Sequence, residues 1–335
     1  MFKSFLTLVA CAIMALLAPG VARADSIELR FASFAPPGSV WANALAQQGV
    51  ETTKKTADRV VFKDFDSGQL NDERDLVRKL TLGQLDAAVL SRTGLSLIDG
   101  SLSVLDLPAM FKSPEELDYV ADKLWPYFQK KFASKGFLLA DRSEFGFEYF
   151  LSKSKLEKLA DFKTQKVWQP DDAVASALFK KIGLSGVPLG VPEVEGALTS
   201  GALDVCEASP YNAVIFKWST KVKYMTTLPL KFAIAATVYS FKSYQKLSPN
   251  DIKILEGVGR VYAKKLRQAM RKSNNDAKAS LARQGVTIVT TPQTTVTDFF
   301  TQSEQVWNEL AGKLYTKEDL QVTLDARAEY RKKHP

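Results

Sequence analysis

The sequence predicts a two-lobed α/β protein braced by one long helix. Three observations carry that expectation. Strand and helix signals alternate along the chain, the pattern LTxGxLD occurs twice, and the segment from Pro249 to about Arg283 keeps apolar residues at three-and-four spacing. The length of 335 residues suits two domains or one large one, since single hydrophobic cores stop growing at roughly 250 to 300 residues.

Residues 1–24 precede the fold and read as a secretory signal peptide. Lys3 supplies the positive start, FLTLVACAIMALLA at 5–18 the apolar stretch, and Ala22-Arg23-Ala24 the small-x-small cleavage site. The apolar run is shorter than the roughly 18 to 20 residues a membrane span needs. Cleavage after Ala24 then leaves an exported, soluble chain. Ser26 to Phe34 alternates and enters the turn Ala35-Pro36-Pro37-Gly38, the pattern of a strand running into a loop. Val40 to Lys55 has helical spacing and VVFKDF at 60–65 has strand spacing, and this order favours a parallel sheet. A helix over 72–82, a strand at 85–90, a helix over 114–134, a strand at 137–141 and helices near 172–182 and 193–200 continue the alternation. In the long segment Leu255, Val258, Leu266, Ala277 and Leu281 mark one face, with Ser248 and Pro249 as N-cap and first-turn residues. At about 1.5 Å per residue that helix is roughly 50 Å long, enough to brace both lobes.

The repeat joins Leu80-Thr81-Leu82-Gly83-Gln84-Leu85-Asp86 with Leu198-Thr199-Ser200-Gly201-Ala202-Leu203-Asp204, and a serine follows each aspartate by five residues, at Ser91 and Ser209. Each glycine is the natural left-handed residue ending a helix, each following leucine starts a buried strand, and each serine lies beyond that strand's carboxyl end. Ligands of open α/β sheets bind there, so two facing lobes place Ser91 and Ser209 on opposite walls of one cleft.

Composition narrows the chemistry. His334, the single histidine, sits beside the C-terminus in a basic tail, so Ser-His and Cys-His nucleophile pairs and His-rich metal sites lose their main actor. Export removes Cys11 and leaves Cys206, which reads as a small core side chain with no disulfide partner. The 45 Lys and Arg against 37 Asp and Glu are scattered without an aromatic-interleaved basic stripe, which argues against nucleic-acid binding. GVGR at 257–260 lies inside the long helix and lacks phosphate-loop spacing, so no cofactor is expected.

The chain also resembles the solute-binding proteins of TRAP (tripartite ATP-independent periplasmic) transporters, the DctP-like or C4-dicarboxylate-binding family. The resemblance rests on FASFAPPGS near the start, SGQLNDERDLVRKLTLGQLDAAV, LDLPAMFKSPEE at 105–116, LADFKTQKVWQP at 159–170 and KIGLSGVPLGVPEVEGALTSGALDVCEASP at 181–210, in order. It implies a periplasmic receptor, two lobes joined by crossing strands, a monomer closing on one small-molecule ligand, and delivery to integral membrane permease subunits. Lobe I is expected over 25–146 with about 236–250, lobe II over 147–235 with about 284–335, and the long helix over 249–283.

Departures from the family pattern bear on the ligand. Lys166-Val167-Trp168-Gln169-Pro170 puts Trp168 where the family usually has a carboxylate-clamping arginine. Gly146-Phe147-Glu148 puts an acid where a second cationic side chain is usual, and the usual Asn-Pro reads Ser209-Pro210. Neither Trp168 nor Glu148 offers a guanidinium's two-pronged match to a carboxylate. One reading is a rebuilt cavity, in which Trp168 gives a face for an aromatic ring, sugar or cation and Glu148 binds hydroxyls or a positive nitrogen. The other has Trp168 packing, Glu148 bonding a neighbouring Lys or Arg, and Arg92 or Arg142 holding a ligand acid. Further binding candidates are Ser39 and Trp41 after the Pro-Pro-Gly loop, Glu73, Ser91, Phe145, Ser209, Tyr211, Asn212 and Phe232. The expected function is capture of an organic acid or a hydroxylated, aromatic or amine-bearing compound, without catalysis. The rival is an exported carboxylate-dependent hydrolase, but the acids at 64–75 already have a role in a helix-start region.

Overall fold

The computed structural model describes residues 26–33, 35–64 and 72–334. The signal-peptide reading, Phe34 and the SGQLN part of the second family block lie outside the described residues. Strand β1 (Ile27–Ala32), helix α1 (Val40–Lys55), β2 (Val60–Asp64), α2 (Glu73–Leu82), β3 (Ala87–Ser91), α3 (Arg92–Ile98) and α4 (Pro114–Ser134) lead to a long strand β4 (Phe137–Ser152). A second series, β5 (Val167–Gln169), α5 (Ala173–Ile182), β6 (Gly186–Pro188), α6 (Val191–Ser200), β7 (Val205–Ala208), α7 (Pro210–Ile215) and β8 (Tyr224–Thr226), leads to β9 (Lys231–Ser240). The short α8 (Phe241–Tyr244), then α9 (Pro249–Arg283), β10 (Thr287–Val289), α10 (Gln293–Leu310) and α11 (Lys317–Lys333) follow.

The sheet runs β2-β1-β3-β9-β4-β7-β5-β6. β1 is parallel to β2 and β3, and β5 is parallel to β6 and β7. The antiparallel pair β9 and β4 joins the two sets, so the sheet repeats the same arrangement outward from its centre. These are the crossing strands that the resemblance implies. The strand expected at 137–141 extends to Ser152, past Asp141, Arg142 and Glu144, because register shifts before Arg142 and before Gly146 re-aim these charged residues without ending the strand. Gly146 has φ +95°, and a side chain there would collide with Asn274, whose amide donates to the Phe145 carbonyl at 2.7 Å.

The sequence repeat is a repeat in space. Gly83 and Gly201 cap α2 and α6 in the left-handed conformation, with φ 72° and 80°. Asp86 N–H donates to the Arg30 carbonyl and Asp204 N–H to that of Lys166, while the Arg30 and Lys166 N–H groups donate back to the two carboxylates. The same two basic side chains reach the glycine carbonyls, Arg30 to Gly83 at 2.6 Å and Lys166 to Gly201 at 2.8 Å. A helix end, a strand start and the neighbouring strand are thereby locked together identically in both halves. Superposing these locks makes Trp168 the counterpart of Ala32.

Helix α9 begins with the expected cap, Ser248 Oγ accepting from Asp251 N–H at 3.1 Å. Its 35 residues pack on α1, β4 and α7. Leu255, Leu266 and Met270 enter an apolar cluster with Leu29 and Val89, whereas Leu281 enters another with Leu198 and Met225. The helix thus braces both halves. Of the C-terminal helices, α10 packs on α5. α11 instead returns to α4, where Leu320 and Ala326 join the core of Phe128 and Phe132, so the expectation that 284–335 belongs wholly to lobe II does not describe it. Cys206 is fully buried and free, and burial pushes its thiol pKa up.

Where α9 crosses β4, Gly259 leaves space for the Asp141 carboxylate and any larger side chain would overlap it. Burial raises the Asp141 pKa to about 6, against the opposing pull of Arg260 and Arg267. A carboxyl group that holds its proton more tightly in the folded chain favours folding fully below about pH 4, and that contribution is lost as pH rises through about 6. Asp141→Asn is therefore expected to add on the order of 2 kcal/mol of stability above pH 7. It should also flatten the pH 4 to 6.5 slope of the urea midpoint, and an unaltered slope would contradict the assignment.

Candidate ligand-binding site

The carboxyl ends of the strands in both halves open onto one cavity of about 460 Å³. Its walls are built by residues at or just after carboxyl ends of parallel strands: Ser91 and Arg92 after β3, Trp168 and Pro170 from β5, Ala208 at the end of β7. The crossing strands contribute Phe145, Glu148, Lys231 and Ile234, and α2 contributes Glu73 from its first turn.

Two buried ion clusters line the space. Arg92, placed at the start of α3 by the Ser91 cap, bridges the halves: Nη1 reaches Asp106 at 2.6 Å and Nη2 reaches Asp172 at 2.6 Å. Burial opposes the guanidinium charge, but the two carboxylates outweigh it and hold the pKa above the ordinary arginine value. Asp172, which also caps α5, is lowered by Arg92 despite its burial, whereas burial prevails at Asp106 and raises it. In the second cluster Lys231 sits directly across the β4–β9 ladder from Glu148, at 2.8 Å, and reaches Glu207 on β7 at 2.5 Å. Burial raises the Glu207 pKa against the pull of Lys231, and the Glu148 charge adds to the rise. Glu73 accepts from the Ser91 N–H at 3.1 Å, the Ser91 hydroxyl at 3.0 Å and the Gly94 N–H at 2.5 Å, and burial raises its pKa above the usual carboxylate range.

Trp168 is both wall and packing residue. It lines the cavity while 5% exposed, donates Nε1–H to the Leu189 carbonyl at 2.8 Å and meets Trp218 edge-on at 5.3 Å. Phe216 stacks on Trp218 at 5.3 Å. Among the sequence candidates, Trp168, Glu148, Glu73, Ser91 and Asn212 line the cavity, as do Phe145 and Arg92.

The remaining candidates are not among its lining residues. Ser209 is fully buried as the cap of α7, its hydroxyl accepting from Asn212 N–H at 3.3 Å. Tyr211 turns its hydroxyl to the Val40 N–H at 3.0 Å, and Ser39 caps α1. Trp41 lies behind the wall, stacked on Phe145 at 4.9 Å. Phe232 packs edge-on against Phe147 in the core. Arg142 is tied to Asp118 and Glu144 elsewhere on β4. Lys231, Glu207, Asp106 and Asp172 are site residues that sequence reasoning missed. A signal was present for two of them, a lone charge opening the apolar run KFAIAATV and a lone acid inside VCEA.

Residues 31–313 match the family described as bacterial extracellular solute-binding protein, family 7, or DctP. The chain belongs to this DctP family. Among relatives, it is 25% identical over 218 residues to the uncharacterized protein YiiZ of Salmonella typhimurium, a stretch covering 64% of this chain and 66% of that one. In fold this DctP-family chain matches a sugar acid binding protein from Advenella mimigardefordensis in complex with galactonate, with TM-score 0.84 and 21% identity over 91% of this chain and 98% of that one. It similarly matches a TRAP periplasmic solute-binding protein from Xanthobacter autotrophicus with bound beta-D-galacturonate, with TM-score 0.83 and 19% identity over 90% and 99% of the two chains.

Proposed function

We propose that this DctP-family chain is the extracytoplasmic receptor of a TRAP-type transporter, capturing one small organic solute between its lobes and delivering it to membrane permease subunits. The observation that carries this reading is the cavity at the facing strand ends, with the Arg92–Asp172 pair joining its two sides at 2.6 Å. Solute-binding relatives of the same fold hold galactonate and galacturonate, which supports a small polar organic ligand. Export through a signal peptide cleaved after Ala24 fits that role. Lobe I is assigned to 25–146 with 236–250 and α11, lobe II to 147–235 with α10.

Because a solute held between lobes binds only the folded, closed chain, it should stabilise that state by about 2.7 kcal/mol at a hundredfold excess over its dissociation constant. A thermal-shift screen of residues 25–335 against carboxylic acids, aromatic acids, amines and polyols tests this. A stabilising compound recovered unchanged supports capture; its chemical turnover would overturn the receptor reading in favour of a hydrolase.

A further inference from the structure

Building on the receptor reading, we propose that the captured solute carries a positively charged nitrogen together with a neutral oxygen acceptor, and is not an organic anion. The balance of charge around the cavity carries this. Arg92 and Lys231 are its buried cations, and each is already held between two carboxylates, Asp106 and Asp172 for the first, Glu148 and Glu207 for the second. Two cations against four acids leave a surplus of negative charge. Glu73 adds to it: its oxygens accept hydrogen bonds from Ser91 and Gly94, yet it has no ion-pair partner among the described residues. Hydrogen bonds satisfy its lone pairs but bring no positive charge to it.

At the rim, Arg74 is exposed and paired with Asp171 at 2.7 Å, and the nearby Asp72 and Glu193 outweigh what charge it has left. An incoming carboxylate would therefore meet cations that are already neutralised and acids that are not. An ammonium group meets the reverse.

Two independent features agree. Arg92 is 7% exposed and its Nε, alone among its nitrogens, has no acceptor among the described residues. A hydroxyl, ether or carbonyl oxygen would satisfy that donor without adding charge beside Asp106 and Asp172. The apolar wall is also suited to a cation, since Phe145, Trp168, Phe216 and Trp218 bring electron-rich aromatic rings to the same space.

The test uses residues 25–335 and matched pairs of compounds: phenethylamine against 3-phenylpropionate, 4-aminobutanol against 4-hydroxybutyrate, and further amines, amino alcohols and amino amides each against the carboxylate of the same skeleton, with galactonate and galacturonate added. Thermal shift followed by calorimetric titration should find the stabilising compounds among the ammonium members, each at least tenfold tighter than its carboxylate partner. Stabilisation by the carboxylates or sugar acids instead would overturn the charge assignment and leave the receptor reading intact. A panel without any stabilising member would count against both. Glu73→Gln should weaken the best ammonium ligand at least tenfold, and tighter binding of a carboxylate by that variant would again overturn the proposal. If the variant does not fold, the matched pairs on the unmodified chain decide.

Discussion

Lys231→Met is expected to destabilise the protein by about 3–5 kcal/mol at pH 7, the usual cost of stranding buried charges by removing one partner. Methionine keeps the length and much of the volume of the lysine stem, so packing should change little. The loss is electrostatic: Glu148, partly buried, and Glu207, buried, lose the ammonium group that sits 2.8 and 2.5 Å from them. Burial already works against the Lys231 charge, and the two carboxylates more than restore it, holding the lysine pKa above its ordinary value. The pH dependence follows with a definite sign. Burial raises the Glu207 pKa and Lys231 opposes the rise, so without Lys231 this carboxyl holds its proton more tightly in the folded chain than in the unfolded one, and the variant should recover stability as pH falls from 7 toward 5. Urea denaturation at both pH values reads this directly. Adding Glu207→Gln to Lys231→Met should recover much of the loss, because a neutral amide does not need the cation. A loss under about 1 kcal/mol with no pH dependence would show that the pair is solvated and contributes as little as a surface ion pair.

The parts of the fold legible in the sequence are those that local chemistry dictates. Gly83 and Gly201 could be read as helix ends because a left-handed residue favours glycine, and Ser248-Pro249 as a helix start because a hydroxyl and a missing N–H both suit that position. The LTxGxLD pattern pointed to two similar halves. What it could not reveal was why the aspartates recur: each is the acceptor for a basic residue on the adjacent strand, Arg30 or Lys166, far away in the chain. Ser91 and Ser209 show the limit of such reading. Ser91 ends a strand and Ser209 follows one, and each caps the next helix, yet only Ser91 lines the cavity. The ion clusters were harder still, since Arg92 meets Asp172 across 80 positions and Lys231 meets Glu207 across 24, through a sheet order that no local pattern encodes. An aspartate before AVASALF announces a cap, and it is one; its second oxygen, which binds Arg92, leaves no trace in the sequence.

Trp168→Ala should lower both stability and affinity, and the two losses can be separated. Its indole is almost wholly buried against Trp218 and hydrogen-bonded to Leu189, so truncation leaves a cavity and an unpaired carbonyl, at a cost of about 3–5 kcal/mol. The same side chain lines the solute cavity, so a ligand identified by thermal shift should also lose its aromatic contact. Trp168→Phe divides these contributions. Phenylalanine keeps a ring against Trp218 and gives up the Leu189 hydrogen bond, which predicts a smaller loss of roughly 1 kcal/mol in stability. If Trp168 is a binding wall, the phenylalanine variant should retain most of the affinity while the alanine variant loses at least tenfold. Full affinity in Trp168→Ala, measured by titration at a temperature where the variant is folded, would assign the side chain to packing alone. In the first half of the molecule the counterpart position is held by Ala32, buried and small, and the same lock of Arg30, Gly83 and Asp86 is complete without an indole. The scaffold therefore does not require tryptophan there, so the side chain's contacts with Trp218, Leu189 and the solute cavity are an addition made in the second half alone.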